Sequence, residues 1–82
     1  MTSPTRPAPA LTIDALGRKC PIPIIMLAER IREIPIGETI AVLADDPAAR
    51  PDIPAWCMMK SQEFVTEMAL PRGWAFVIKR TY

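Results

Sequence analysis

The sequence predicts a two-layer α/β sandwich of the α+β class, in which two helices cover one face of a four-stranded sheet in the order β-α-β-α-β-β. The first observation is that four short segments either alternate apolar and polar residues or run apolar throughout, which is typical of strands. The second is that two other segments repeat apolar residues at three- and four-residue steps, which indicates amphipathic helices. Because crossover connections are right-handed, both helices fall on the same face of the sheet.

The N-terminal half of the chain contains a predicted tail, a strand and a helix. Residues 1–10 are rich in Pro, Ser, Thr and Ala without periodicity, so we predict a flexible Pro-rich tail followed by a single domain over 11–82. The first strand covers Leu11–Ala15 and is broken at Gly17. The first helix covers about Pro21–Glu33, and its predicted buried face consists of Ile24, Leu27, Ala28, Ile31 and Ile34.

The C-terminal half adds three strands and a second helix. Thr39–Ala44 is an almost continuous apolar run that suits a central strand. Asp52 is predicted to cap a helix over about Ile53–Gln62, whose buried side includes Ile53, Trp56 and Cys57. Two more strands follow over Phe64–Leu70 and Trp74–Arg80. One face of the former is predicted to carry Phe64, Met68 and Leu70, whereas the latter alternates Trp74, Phe76 and Ile78 with smaller or polar residues.

Composition excludes several classes of protein. The formal net charge of +1 gives no general attraction to nucleic acid or to a membrane surface. No apolar run approaches the ~20 residues that span a bilayer, and the N-terminal stretch lacks the apolar segment of a secretory signal. The chain has no histidine and no Cys-x-x-Cys motif, so we expect neither a metal site nor a cofactor. Two cysteines do not make a disulfide framework and fit a reducing cytoplasm.

Two adjacent acids, Asp45 and Asp46, stand before Pro47 after the second strand. A carboxylate pair can serve metal binding or acid–base chemistry, but two acids beside a proline are more typical of a solvated turn. We therefore predict a turn without a catalytic role.

Cys20 is the candidate reactive residue, because it stands at the predicted start of the first helix. Pro21 suits the first helical position and Pro23 still falls in the first turn, which makes Cys20 the predicted N-cap residue. The positive end of the helix dipole, together with Arg18 and Lys19, predicts a thiol pKa below the usual ~8.5. A partly exposed thiolate of this kind is a nucleophile. The competing interpretation is a small buried apolar residue, and the flanking charges argue against it.

Three apolar residues of the first helix, Ile22, Ile25 and Met26, are left over from its predicted buried face and lie close to Cys20. They form either a docking ring for a partner protein around the thiol or a patch that neighbouring loops cover. Both interpretations stay open at this point. Cys57 is predicted to belong to the core.

Four segments together resemble the TusA (SirA-like) sulfur-carrier family: Leu16–Pro23, Pro35–Glu38, Ala44–Pro47 and Asp52–Pro54. The Cys-Pro-x-Pro signature follows the first strand and the Asp-Asp-Pro turn follows the second, as in that family. The resemblance spans Leu11–Arg80. It implies a four-stranded mixed sheet with two helices on one face, and a persulfide carried on Cys20.

The resemblance also implies a function and partners. The chain would be a sulfurtransferase-type carrier rather than a stand-alone enzyme, and it would take sulfur from a cysteine desulfurase or a rhodanese-like protein. It would then pass that sulfur to a downstream acceptor protein, with no direct contact to nucleic acid or membrane. In the family the sulfur serves tRNA thiolation, molybdenum-cofactor assembly or sulfur oxidation, and no residue selects among them. Ile22 replaces the acid that many relatives carry between the two prolines, and Ala28 and Glu29 make the first helix less basic, so the partner surface is more apolar.

Two other functions compete with a sulfur carrier. In a non-catalytic interaction or regulatory module, Cys20 would only cap a helix. A thiol redox enzyme would need Cys20 and Cys57 within disulfide reach, with Cα atoms less than about 7 Å apart. Their predicted positions, one at the start of the first helix and one inside the second, argue against that pairing.

Overall fold

The computed structural model describes residues 8–82 and shows four strands and two α-helices in the predicted order. The strands are β1 (Leu11–Asp14), β2 (Thr39–Ala44), β3 (Glu63–Ala69) and β4 (Trp74–Lys79). The helices are α1 (Ile22–Arg30), followed directly by a 3₁₀ turn over Ile31–Glu33, and α2 (Ala49–Met59). The predicted tail over residues 1–10 lies mostly outside the described residues, and the division into a tail and one domain over 11–82 stays a prediction.

The sheet is mixed, with the strand order β1-β2-β4-β3. Strand β2 pairs in parallel with β1, and β4 runs antiparallel to both of its neighbours, β2 and β3. A helix that joins two parallel strands runs opposite to them. Helices α1 and α2 therefore both begin at the edge of the sheet where β1 and β2 end. This arrangement confirms the predicted fold class.

One hydrophobic core fills the space between the helices and the sheet. It takes alternate residues from the strands and one face of each helix, which include Ile13, Leu27, Ile40, Val42, Ile53, Phe76 and Ile78. The prediction that Ile53, Trp56 and Cys57 are buried together is confirmed, because all three belong to this core. Ala28 is the exception on α1: it is exposed at the margin of the buried face and lines a cavity instead.

The two helices begin at residues other than those predicted. Helix α1 starts at Ile22, one residue after the predicted start, and its last predicted turn is a 3₁₀ turn. Helix α2 starts at Ala49, four residues earlier than its predicted start, and it ends at Met59. The early start arises because the Asp46 side chain and carbonyl accept hydrogen bonds from the N–H groups of Ala48 and Ala49. Asp52 therefore lies in the first turn of α2 and does not cap it.

Strand β3 contains a bulge that changes the predicted facing of its side chains. Phe64 pairs with Ile78 and Thr66 pairs with Val77, so that Val65 is an extra residue between two consecutive partners. Residues beyond the bulge change faces relative to those before it. Phe64 packs against the core, whereas Met68 is 47% exposed, and the prediction that these two side chains share a face is wrong.

Candidate functional site

Cys20 lies in the loop that joins β1 to α1, at the edge of the sheet where both helices begin. The helix N-cap is Pro21, whose carbonyl accepts a hydrogen bond from the Ile25 N–H at 3.0 Å. Cys20 therefore precedes the cap by one residue, and the prediction that it caps the helix itself is wrong. The Ile22 N–H donates to the Lys19 carbonyl at 2.9 Å. The peptide bond between Cys20 and Pro21 is cis.

The two cysteines have different surroundings. Cys20 is partly exposed and packs against the margin of the core, whereas Cys57 is 1% exposed within it. Burial raises the pKa of the Cys57 thiol to about 11, which makes this residue inert at neutral pH. Only Cys20, of the two, is open to a reagent or a partner.

Asp46 connects the Cys20 loop to the start of α2. Its Oδ2 accepts a hydrogen bond from the Cys20 N–H at 2.9 Å, and its Oδ1 accepts one from the Ala48 N–H at 3.0 Å. A single carboxylate thus holds the backbone just before both helices. Asp46 lies in a turn, as predicted, but it does more than face water, because both of its oxygens accept backbone hydrogen bonds.

Asp45 makes a second connection, on the other side of the Cys20 loop. Its Oδ1 accepts a hydrogen bond from the Gly17 N–H at 3.1 Å, and its Oδ2 lies 2.6 Å from Nε of Arg72 in the β3–β4 turn. Gly73 brings that turn against the end of β2: a Cβ at this position would overlap the Ala44 carbonyl oxygen and would lie 2.8 Å from the Asp45 Cα. Three loops therefore meet at the two adjacent acids.

The surroundings of Cys20 shift the pKa of its thiol in the direction opposite to the expected one. Burial, and then the carboxylates of Asp46 and Asp52, raise the pKa of the Cys20 thiol above its ordinary value. The prediction of a lowered pKa is therefore wrong. It relied on the helix dipole and on Arg18 and Lys19, but both of these side chains are exposed to water, whereas the acids come from the β2–α2 loop and the first turn of α2.

The pKa values of Asp45 and Asp46 are shifted downward, opposite to that of Cys20. Hydrogen bonds from the Cys20 and Ala48 amides hold the pKa of Asp46 below its ordinary value of 3.8, and the Gly17 amide, followed by Arg72, does the same for Asp45. A lowered pKa in the folded state contributes stability above the unfolded-state pKa, and this stability is lost as the pH falls through the folded-state value.

We therefore expect the protein to lose stability as the pH falls, and we expect this loss to be smaller in the Asp46→Asn variant. Between about pH 6 and pH 2 the melting temperature of the wild-type protein should fall further than that of the variant, because only the wild type loses an ionised acceptor at this position. Melting curves followed by circular dichroism would measure this. Glu29→Gln, at an exposed position of α1, is the matched control and should follow the wild type. Parallel curves for Asp46→Asn and the wild type would contradict the role given to the Asp46 carboxylate.

The remaining predicted site residues lie as follows. Pro23 is fully buried, and Ile22 and Ile25 are 41% and 45% exposed on the first turns of α1. Met26 is half-buried and packs against the core, so it offers less surface than the two isoleucines. The docking role of these residues stays a prediction.

The prediction from sequence missed four residues: Asp45, Asp46, Asp52 and Arg72. One signal could have found the first two. The carboxyl ends of neighbouring parallel strands meet at one edge of a sheet, so the acids after β2 had to lie beside the loop that follows β1. Nothing local marked Arg72, since its contact with Asp45 joins residues 27 positions apart.

Within residues 8–82 no three or more Cys, Asp or Glu side chains are grouped so that they could hold a metal ion. None of the described helices has both the length and the apolar character needed to cross a bilayer.

The fold and the site define a class of small α+β domains in which a partly exposed cysteine precedes the first helix. Residues 11–80 match the family described as Sulfurtransferase TusA, and the chain belongs to this family. It is also similar to the SirA-like protein of Desulfitobacterium hafniense, whose crystal structure matches with a TM-score of 0.75 and 26% sequence identity. That match covers 88% of this chain and 99% of the other. The family resemblance stated from the motifs is confirmed, and with it a role in sulfur transfer.

Proposed function

We propose that this protein is a sulfur carrier that holds a persulfide on Cys20 and relays it from a donor protein to an acceptor protein. The observation that carries the proposal is the contrast between the two thiols. Cys20 is partly exposed at the position of the family's Cys-Pro-x-Pro motif, and Cys57 is enclosed in the core. A carrier needs one accessible sulfur and a surface for docking.

The chemistry needs no group beyond the two sulfur atoms of the donor and that of Cys20. The Cys20 thiolate attacks the outer sulfur of a donor persulfide, a new S–S bond forms at Cys20, and the S–S bond of the donor breaks. The donor leaves as a thiolate and takes up the proton that Cys20 released. No electrons are gained or lost overall. An acceptor thiol repeats the exchange and regenerates the free Cys20 thiol.

The raised pKa of Cys20 has a consequence for the first step. Because only the thiolate attacks, and because burial and nearby carboxylates favour the thiol, the free carrier reacts slowly at neutral pH. The rate of loading should therefore rise with pH.

The surface around Cys20 supports docking by proteins. Ile22 and Ile25 are exposed on α1, and Arg18 and Lys19 are exposed in the preceding loop. An apolar patch beside cations fits a partner surface that combines apolar and acidic groups. We propose a cysteine desulfurase or a rhodanese-like protein as donor and a thiol-bearing protein as acceptor, in the reducing cytoplasm.

The test is to incubate the protein with a cysteine desulfurase, pyridoxal phosphate and free cysteine, and to measure the intact mass without reductant. We expect a gain of one sulfur atom, which dithiothreitol removes. Cys20→Ala should abolish this gain.

Cys57→Ala is the matched control, because it removes the other thiol and leaves an apolar residue in the core; it should load like the wild type. Loading of Cys20→Ala would place the sulfur elsewhere and would contradict the proposal. A wild-type protein that never loads, from either a desulfurase or a rhodanese, would favour a non-catalytic interaction module.

A further inference from the structure

We propose that Asp46 is a positioning residue for Cys20: its carboxylate holds the backbone of the cysteine loop against the start of α2 and keeps a negative charge beside the sulfur. The proposal concerns the same site as the proposed function and rests on it for its biological meaning. Its test uses a reagent that needs no sulfur donor.

The first argument is geometric. Both oxygens of the Asp46 carboxylate accept backbone hydrogen bonds, one from Cys20 at 2.9 Å and one from Ala48 at 3.0 Å. Bonds to an ionised acceptor are stronger than those between neutral groups. Cys20 and Asp46 are 26 residues apart in sequence, so this contact fixes the cysteine loop to another part of the fold.

The second argument is electrostatic. Asp46 from the β2–α2 loop and Asp52 from the first turn of α2 act on the Cys20 thiol, whereas Arg18 and Lys19 precede it in its own loop. The two cations are exposed and screened by water. The two acids act on the thiol and disfavour its ionisation. The resting carrier therefore keeps a protonated thiol.

Together these arguments describe the chemistry of a fitting donor. A donor whose acidic groups meet Arg18 and Lys19, and which also places one cationic side chain against Asp46 and Asp52, would offset the charges that oppose ionisation and raise the thiolate fraction of Cys20 in the complex. The free carrier would stay protected from adventitious electrophiles and oxidants, which react with thiolates.

The test is the pH dependence of alkylation of Cys20 by iodoacetamide, followed by peptide mass spectrometry over about pH 6–10. Asp46→Asn should lower the pH midpoint and raise the rate at pH 7 several-fold, since each unit of pKa changes the thiolate fraction about tenfold. The amide cannot accept both backbone hydrogen bonds, so the limiting rate at high pH should change as well.

The Asp52→Asn variant separates the effect of a negative charge near the sulfur from the effect of hydrogen bonds to the loop backbone. This residue supplies charge and a side-chain hydrogen bond to the Cys20 thiol, but within residues 8–82 it accepts no hydrogen bond from the backbone of the cysteine loop. It should lower the midpoint and leave the limiting rate unchanged. Glu29→Gln, the same chemical change at an exposed position of α1, should alter neither quantity. Cys57 reports on folding, because it stays unmodified while the core is intact.

An unchanged midpoint in Asp46→Asn, with Cys57 still protected, would overturn the proposal. A shifted midpoint in a protein that a desulfurase never loads would retain the role of Asp46 and reject the persulfide relay. If Cys57 becomes reactive in Asp46→Asn, the core of that variant is no longer intact, and Asp46→Glu is measured in its place. Asp46→Glu keeps the charge and should have the same pH midpoint as the wild type. A different midpoint would also count against the proposal.

Discussion

Replacing Gly73 with alanine is expected to lower the free energy of unfolding by about 3 kcal/mol, as the sum of backbone strain and steric overlap. Gly73 has a φ of +75°, a conformation that side chains with a Cβ rarely adopt. The added Cβ would also overlap the Ala44 carbonyl oxygen, and backbone cannot move aside as a flexible side chain can. Chemical denaturation in urea would measure the loss.

Gly37→Ala is the matched control for this prediction. Gly37 has a similar φ of +94°, but nothing lies within 4 Å of a Cβ built there. It should cost only the conformational part, about 1 kcal/mol. Equal losses for the two variants would show that the β3–β4 turn adapts and that the contact of Gly73 with the end of β2 is not rigid.

Replacing Phe76 with alanine is expected to cost about 3–5 kcal/mol, which is the usual range for removing a large buried ring. Phe76 is 0% exposed, and it is among the largest fully buried side chains of the core. A chain of this size is stabilised by about 5–12 kcal/mol in total, so the variant should be close to unfolding at physiological temperature. Thermal and urea denaturation would measure the loss.

Phe64→Ala provides the comparison, because it makes the same chemical change at a half-buried position on the neighbouring strand. Its cost should be less than half that of Phe76→Ala, since less apolar area leaves water on folding. Phe76→Leu should fall between the wild type and Phe76→Ala. A larger loss from Phe64→Ala than from Phe76→Ala would contradict the described packing of the core.

The elements that local patterns determine were predicted correctly. Phe76 and Ile78 belong to the core and Trp74 packs against it, as the two-residue period of a strand predicts, although Ala75 and Val77 are buried as well. The same holds for Leu27 on α1 and Ile31 in the 3₁₀ turn that follows it, which repeat at helical spacing and are buried.

Features that depend on distant partners could not be predicted in this way. The bulge at Val65 exists because β3 pairs with β4, and its own residues carry no glycine or other local signal of it. The early start of α2 depends on the Asp46 side chain, which also binds a residue 26 positions away.

The site shows the same division between local and distant causes. The choice of Cys20 as the candidate reactive residue depends on its two neighbouring prolines, which are local in sequence, and it stays a prediction. The direction of its pKa shift could not be predicted locally, because the exposed Arg18 and Lys19 were weighed without Asp46 and Asp52. Folding partly buries the sulfur and brings those acids to it, and both effects raise the pKa of the thiol.

The bulge in β3 also bears on how the molecule behaves at high concentration. The strand order makes β1 and β3 the two outer strands, and outer strands offer free backbone groups to which another chain can pair. Strand β1 has only four residues, and β3 is interrupted at Val65 and carries the charged Glu63 and Glu67 along its length. Short, irregular and charged borders of this kind oppose the pairing of strands between copies of the protein.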